Sequence, residues 1–295
     1  MKSPFDLEAL AASFRETGRE MMRAAHGPTG WMAPSLAEIR ELHVEGGEFP
    51  IPARLYVPEG AESPSPMLVF FHGGGFFSCD LDTHDGMCRW LAASAKVRVL
   101  SVAYRLAPEH RLPAQFDDAL AATRWALANA AKVGADAGRI ALGGDSVGGM
   151  LSAVTSIRLN TERAQAIRLQ LLIYPMFNID AEVCASEATL PFRMMGQAAA
   201  WLVQSQAIAA GGSAPAELTG DLAKSPRTYL VSGGLDPLRA EANAFAERLR
   251  GAGVEVTERL FPHLAHGGLN FPNAAGPGGE WLKEVGTGLG AMIRA

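Results

Sequence analysis

The chain has 295 residues, 48% of them hydrophobic and 19% charged, and a formal net charge of −5. That length and apolar share suit one large α/β domain or two small ones and exclude intrinsic disorder, and the absence of any basic stretch argues against a nucleic-acid partner. Cys79, Cys88 and Cys184 are too few and too oddly numbered for a disulfide framework, so reduced thiols are expected; no run of about 18 apolar residues marks a membrane span and no apolar segment reads as a signal peptide, which sets a cytoplasmic location as the expectation.

In chain order, Phe5, Leu7, Leu10, Phe14, Met21 and Met22 recur at helical spacing and predict an N-terminal helix that ends at Gly27-Pro28-Thr29-Gly30. Arg40 to Pro58 reads as two antiparallel strands joined at Gly46-Gly47. Pro66 to Phe71 is short, continuous and apolar, as expected of a strand buried on both faces. An alternation follows: a helix over 84–95, a strand over Val97–Tyr104, a helix over 114–132, a strand at Arg139–Leu142, a helix from 147 and a strand over Leu169–Pro175. Later come a strand at Arg227–Gly233, a helix over 237–251, a strand at Val254–Phe261 and a closing helix near 280–293. Strands alternating with helices predict a mainly parallel sheet with right-handed crossovers, which binds ligands beyond the carboxyl ends of its strands. The stretch 176–226 carries a Met-, Ala- and Trp-bearing helical pattern without an obvious strand. The expected organisation is therefore N-terminal cap helices over 1–45, then an α/β domain over 46–295 with a cap insertion at about 180–222.

The densest chemical signal is the stretch GGDSVGGM, residues 143–150. A Walker phosphate loop needs Lys followed by Ser or Thr, which is missing, and the spacing does not match a dinucleotide fingerprint. Gly144-Asp145-Ser146-Val147-Gly148 does match G-x-S-x-G between a strand and a helix, the nucleophile elbow, which makes Ser146 the candidate nucleophile. A serine hydroxyl needs a base and the base an orienting acid, and in this arrangement the order along the chain is Ser, then Asp or Glu, then His. Asp236 stands just past one predicted strand, with Asp180 and Asp221 as rivals that follow none; His263 and His266 stand just past the next. A glycine-rich loop, His72-Gly73-Gly74-Gly75, follows an earlier strand and offers backbone N–H donors for an oxyanion.

With His72-Gly73-Gly74-Gly75-Phe76, DLDTHDG from Asp80, YRLAPEHRLPA from Tyr104, GGDSVGG, LDPLRAE from Leu235 and His266-Gly267 in place, the chain resembles the bacterial hormone-sensitive-lipase-like (family IV) carboxylesterases of the α/β-hydrolase superfamily. The resemblance implies an α/β-hydrolase fold: a mostly parallel eight-stranded sheet flanked by helices, with a helical cap. It implies Ser146 as nucleophile, Asp236 as acid and His266 rather than His263 as base. The oxyanion hole would be built from Gly74, Gly75 and the amide of Val147, with Gly73 less clearly included. The activity implied is hydrolysis of small, short- to medium-chain acyl esters without metal or cofactor, with a small-molecule ester as the partner and room for a homodimer. Phe76, Phe77, Met194, Met195 and Trp201 are candidates for the acyl pocket, with plain core packing open for each.

The chain departs from the family pattern at Val147, where alanine is usual, and at Gly268, where an aromatic residue is usual and its loss is expected to open that wall of the pocket. His72 is expected to be a hydrogen-bonding residue beneath the glycine loop. His84, His110, His43 and His26 read as ordinary surface or structural residues without metal-ligand spacing. Arg105, Glu109 and Asp117 are expected to bind one another or the nearby backbone. The same machinery also suits an arylformamide, another activated amide or a lactone. A non-catalytic small-molecule receptor on this fold is a further alternative, although such a receptor would be expected to lose a triad member. A dehalogenase or epoxide hydrolase is excluded because the elbow position is serine.

Overall fold

The computed structural model describes residues 7–25, 33–46, 48–177, 215–270 and 278–295. Eight strands form one sheet: β1 (Glu38–Val44), β2 (Ile51–Val57), β3 (Ser65–Phe71), β4 (Arg98–Val102), β5 (Ala135–Asp145), β6 (Leu169–Ile173), β7 (Arg227–Gly233) and β8 (Val256–Phe261). The labelled helices are α1 (Leu7–Ala25), α2 (Asp85–Ala95), α3 (Ala114–Asn129), α4 (Val147–Glu162), α5 (Arg239–Gly251) and α6 (Gly278–Arg294).

The strand order is β1-β2-β4-β3-β5-β6-β7-β8, antiparallel at β1/β2 and β2/β4 and parallel at every other pairing. The chain runs from β3 to β4 on one side, then crosses back to lay β5 on the other side of β3. This reversal is a topological switch point, where the loops leaving two adjacent strands diverge and leave a crevice. The loops that diverge here follow Phe71 and Asp145, because Phe71 pairs with Gly144 in the β3/β5 ladder.

Every residue of β3 is buried, and its side chains alternate between two apolar layers. Met67, Val69 and Phe71 pack with Phe116 and Ala119 of α3 and with Met150, Leu151 and Val154 of α4. Leu68 and Phe70 pack with Met87 and Leu91 of α2 and with Leu282 and Leu289 of α6. Helix α4 is buried around most of its circumference, as a helix enclosed between the sheet and a second helix must be.

The described residues reproduce the expected order of strands and helices, with two differences. β1 begins at Glu38 and is the sheet's edge strand, so a boundary at residue 45 cuts through the sheet rather than separating a helical cap from it. β5 extends well beyond the apolar Arg139–Leu142, because Gly143, Gly144 and Asp145 join the β6 ladder without an apolar side chain to signal it. Most of the expected cap insertion, with Asp180, Cys184, Met194, Met195 and Trp201, lies outside the described residues, as does His26. No described helix is long and apolar enough to cross a membrane.

Candidate active site

Ser146 sits on the single residue between β5 and α4, at φ 54° and ψ −121°, a left-handed conformation that a side chain makes costly. Packing imposes it: a Cβ at Gly144 or Gly148 would run into the Phe71 carbonyl oxygen, so strand and helix approach each other only with glycine at both positions. The turn is pinned by the Ser146 N–H to the Ile173 carbonyl (2.9 Å) and by the Gly149 and Met176 N–H groups to the Ser146 carbonyl (3.0 and 3.1 Å).

Asp236 and His266 are brought together by their own loops. The Gly234 N–H donates to the Phe261 carbonyl at 2.9 Å and the Leu235 N–H to the Leu264 carbonyl at 3.1 Å, which ties the turn after β7 to the turn after β8. His266 Nδ1 then lies 3.0 Å from Asp236 Oδ2, and Nε2 lies 3.0 Å from Ser146 Oγ. The Nδ1–H donates to the carboxylate, which leaves the Nε2 lone pair to accept the serine proton. The other carboxylate oxygen, Oδ1, accepts the Leu238 N–H at 2.8 Å, so Asp236 caps the turn into α5 and holds the imidazole at once. The Tyr174 ring packs against the His266 ring at 5.0 Å between centroids. Asp221 caps a separate turn through the Ala223 N–H, and His263 is exposed.

The glycine loop after β3 is held from below by Asp145. This buried carboxylate accepts the Gly73 N–H at 2.8 Å, lies 3.1 Å from His84 Nε2 and accepts Asn270 Nδ2 at 3.3 Å. Burial works against its charge, but the His84 imidazole and the Gly73 amide outweigh that and hold the carboxyl below its usual range. The Gly73 amide is therefore committed to Asp145. By contrast, the amides of Gly74, Gly75 and Val147 have no acceptor among the described residues. Gly74 has φ +107°, and a Cβ there would meet Ser78.

His72 is fully buried, donates from Nδ1 to the Gly73 carbonyl at 2.7 Å and stacks on Tyr104 at 4.4 Å. Burial, and secondarily His84, push its pKa down to about 4. Of the surface and structural readings open for His84, the structure takes the second: it is a buried partner of Asp145. One expectation changes here. Gly268 does not open a wall, because a Cβ there would meet Leu264 Cδ1 at 2.8 Å: the neighbouring leucine already occupies the space.

Phe76 is packed in the core with its ring 5.8 Å from that of Phe116, so the described residues give it a packing role rather than a pocket surface. Phe77 is also buried, and its backbone closes the glycine loop through an N–H bond to the Gly74 carbonyl at 3.2 Å. Arg105 pairs with Asp118 and Glu48, while Asp117 is exposed. Glu109 instead receives Arg15 of α1, whose guanidinium also donates to the Phe77 and Ala107 carbonyls at 2.8 and 2.7 Å. Arg19 pairs with Asp80 at 2.9 Å, so α1 is clasped to the segment that follows the glycine loop. Asp145, His84, Asn270 and Arg15 carry no local signal for these roles, since each partner is distant in sequence.

Known proteins resemble this chain in sequence and in fold. A family described by its alpha/beta hydrolase fold matches residues 68–270. The esterase LipI of Mycobacterium tuberculosis is 38% identical over 244 residues, 78% of this chain and 75% of that protein. The carboxylesterase NlhH of the same species is 34% identical over 299 residues, 99% of this chain and 92% of that one. The crystallised hyperthermophilic esterase from Pyrobaculum calidifontis superposes with a TM-score of 0.85 at 30% identity, over 99% of this chain and 95% of that one. The chain belongs to the α/β-hydrolase fold family, in its hormone-sensitive-lipase-like branch, and is a carboxylic ester hydrolase.

Proposed function

We propose that this carboxylesterase cleaves small, uncharged esters of short to medium acyl chain through an acyl-enzyme on Ser146. The observation that carries this reading is the continuous hydrogen-bonded line from Ser146 Oγ through His266 to Asp236, at 3.0 Å for each link. Ser146 Oγ attacks the ester carbonyl carbon as His266 Nε2 takes its proton, and the C=O electron pair moves onto oxygen. The imidazolium is stabilised by Asp236, which stays ionised. The oxyanion is held by the amides of Gly74, Gly75 and Val147; their lack of other acceptors among the described residues supports this set, and the engagement of Gly73 by Asp145 argues against a fourth donor. The tetrahedral intermediate collapses, the C–O bond breaks and the alcohol leaves with the Nε2 proton. Water, deprotonated by the same nitrogen, then attacks the acyl carbon and returns the serine.

The test is hydrolysis of p-nitrophenyl acetate, butyrate, octanoate and palmitate by wild type and by Ser146→Ala. Activity greatest on the short chains and lowered about 10⁶-fold in the variant is expected. Equal rates in both proteins, or a preference for palmitate, would overturn the mechanism or the substrate range respectively.

A further inference from the structure

The catalytic serine lies beyond the carboxyl end of β5; a second concavity lies at the amino ends of the same strands. It has a volume of about 550 Å³, within the range of roughly 300–1,000 Å³ usual for small-molecule sites. Arg139, Arg168, Lys224, Arg227 and Arg294 border it, and no Asp or Glu side chain lines it, the carboxylate of Ala295 being the one anionic group in the lining. Five of the chain's 26 basic residues thus surround one cavity in a protein of net charge −5.

Ion pairs account for only part of this charge. Arg139 is paired with Asp136 at 2.8 Å and Glu62 at 3.1 Å, and Arg294 with Glu62 at 3.3 Å. Arg168, Lys224 and Arg227 make no salt bridge among the described residues, although the Asp136 carboxylate lies in the field of Arg168. Arg168 donates to the Gly138 carbonyl and to Gln165 Oε1, and Arg227 to the Met292 carbonyl, contacts that fix the guanidinium groups without neutralising them. Ala295 borders the cavity without pairing with these cations. Cations gathered at one cavity repel one another, and an anionic occupant relieves that repulsion.

We propose that this cavity is a second ligand site, for a compact, multiply charged oxyanion of the phosphate class. Two guanidinium forks match tetrahedral oxyanion oxygens, and the lysine supplies a point charge. Arg139 precedes Ser146 by seven residues of extended chain, so the site stands about 23 Å from the nucleophile and does not share its groups.

The probe is inorganic phosphate, titrated calorimetrically at fixed ionic strength into wild type and into Ser146→Ala. Saturable one-site binding of equal strength in both proteins is expected. Lys224→Ala combined with Arg168→Gln weakens it at least about tenfold, since each removes a charged contact. Melting curves in phosphate-free buffer check that the double variant folds. Lys224→Ala alone, which removes an exposed side chain without an internal partner, must still weaken binding. Adenosine monophosphate in place of phosphate identifies the source: tighter binding assigns a phosphorylated small molecule, equal or weaker binding the free ion. Heats that match a sodium chloride control, or affinities unchanged in the variants, overturn the proposal.

Discussion

Two Asp–His couples stand at the same edge of this sheet, and they differ in what the second imidazole nitrogen faces. In Asp236–His266 the pair is 3.0 Å apart, and in Asp145–His84 it is 3.1 Å apart. The His266 side chain is 9% exposed and turns its free edge to Ser146 Oγ, whereas His84 is 1% exposed and turns Nδ1 to Thr83 Oγ1 at 3.1 Å. A carboxylate beside an imidazole is therefore not in itself a catalytic unit. In the proposed mechanism the couple that faces Ser146 works as a base; the couple enclosed and bonded on both sides holds the glycine loop.

That contrast predicts a graded set of effects. Asp236→Asn leaves the shape intact but favours the wrong imidazole tautomer and should lower kcat about 10⁴-fold, read by steady-state kinetics on p-nitrophenyl butyrate; a loss below tenfold would break the assignment of Asp236. The buried side of the comparison is sharpened by pH. His72 takes its proton at about 4 in the folded chain but at about 6.5 when unfolded, so the unfolded state binds more protons between those values. Stability is complete above about pH 6.5 and falls as pH drops toward 4, by up to about 3 kcal/mol, and Asp145, held below the usual carboxyl range, adds a loss in the same direction at lower pH. Urea unfolding at pH 7.5 and 4.5 reads the slope, which should flatten in His72→Gln.

Asp145→Ala frees the Gly73 anchor and should lower kcat by up to about 100-fold with little change in KM, because a misplaced oxyanion donor harms the transition state and not the ground state. An effect confined to melting temperature would make the couple purely structural. His263→Ala, at an exposed position near the proposed base, should leave kcat unchanged and stability within about 0.5 kcal/mol.

The central strands were legible because residues such as Leu68 to Phe71 are buried on both faces and must all be apolar. The elbow was legible because sterics admit only glycine at 144 and 148. Less was visible where a role depends on distant partners. His84 meets Asp145 and Asn270 across 61 and 186 positions, and nothing in DLDTHDG announces either contact. Gly268 reads as a gap only while the position of Leu264 is unknown, and Phe76, next to the glycine loop in sequence, points into the core against Phe116.

From the order of its residues alone this chain determined its fold class and pointed to a serine, an aspartate and a histidine for the proposed chemistry, since each reading rests on local steric rules and on strand order. Only the tertiary structure decided which glycine amide is already spent, which histidine is sealed and where the basic residues gather. Arg139, Arg168, Lys224, Arg227 and Arg294 form no run in the sequence and meet only where β5, β6, β7 and the end of α6 come together. Charge and hydrogen-bond satisfaction are properties of neighbours in space, and the chain brings those neighbours together only by folding.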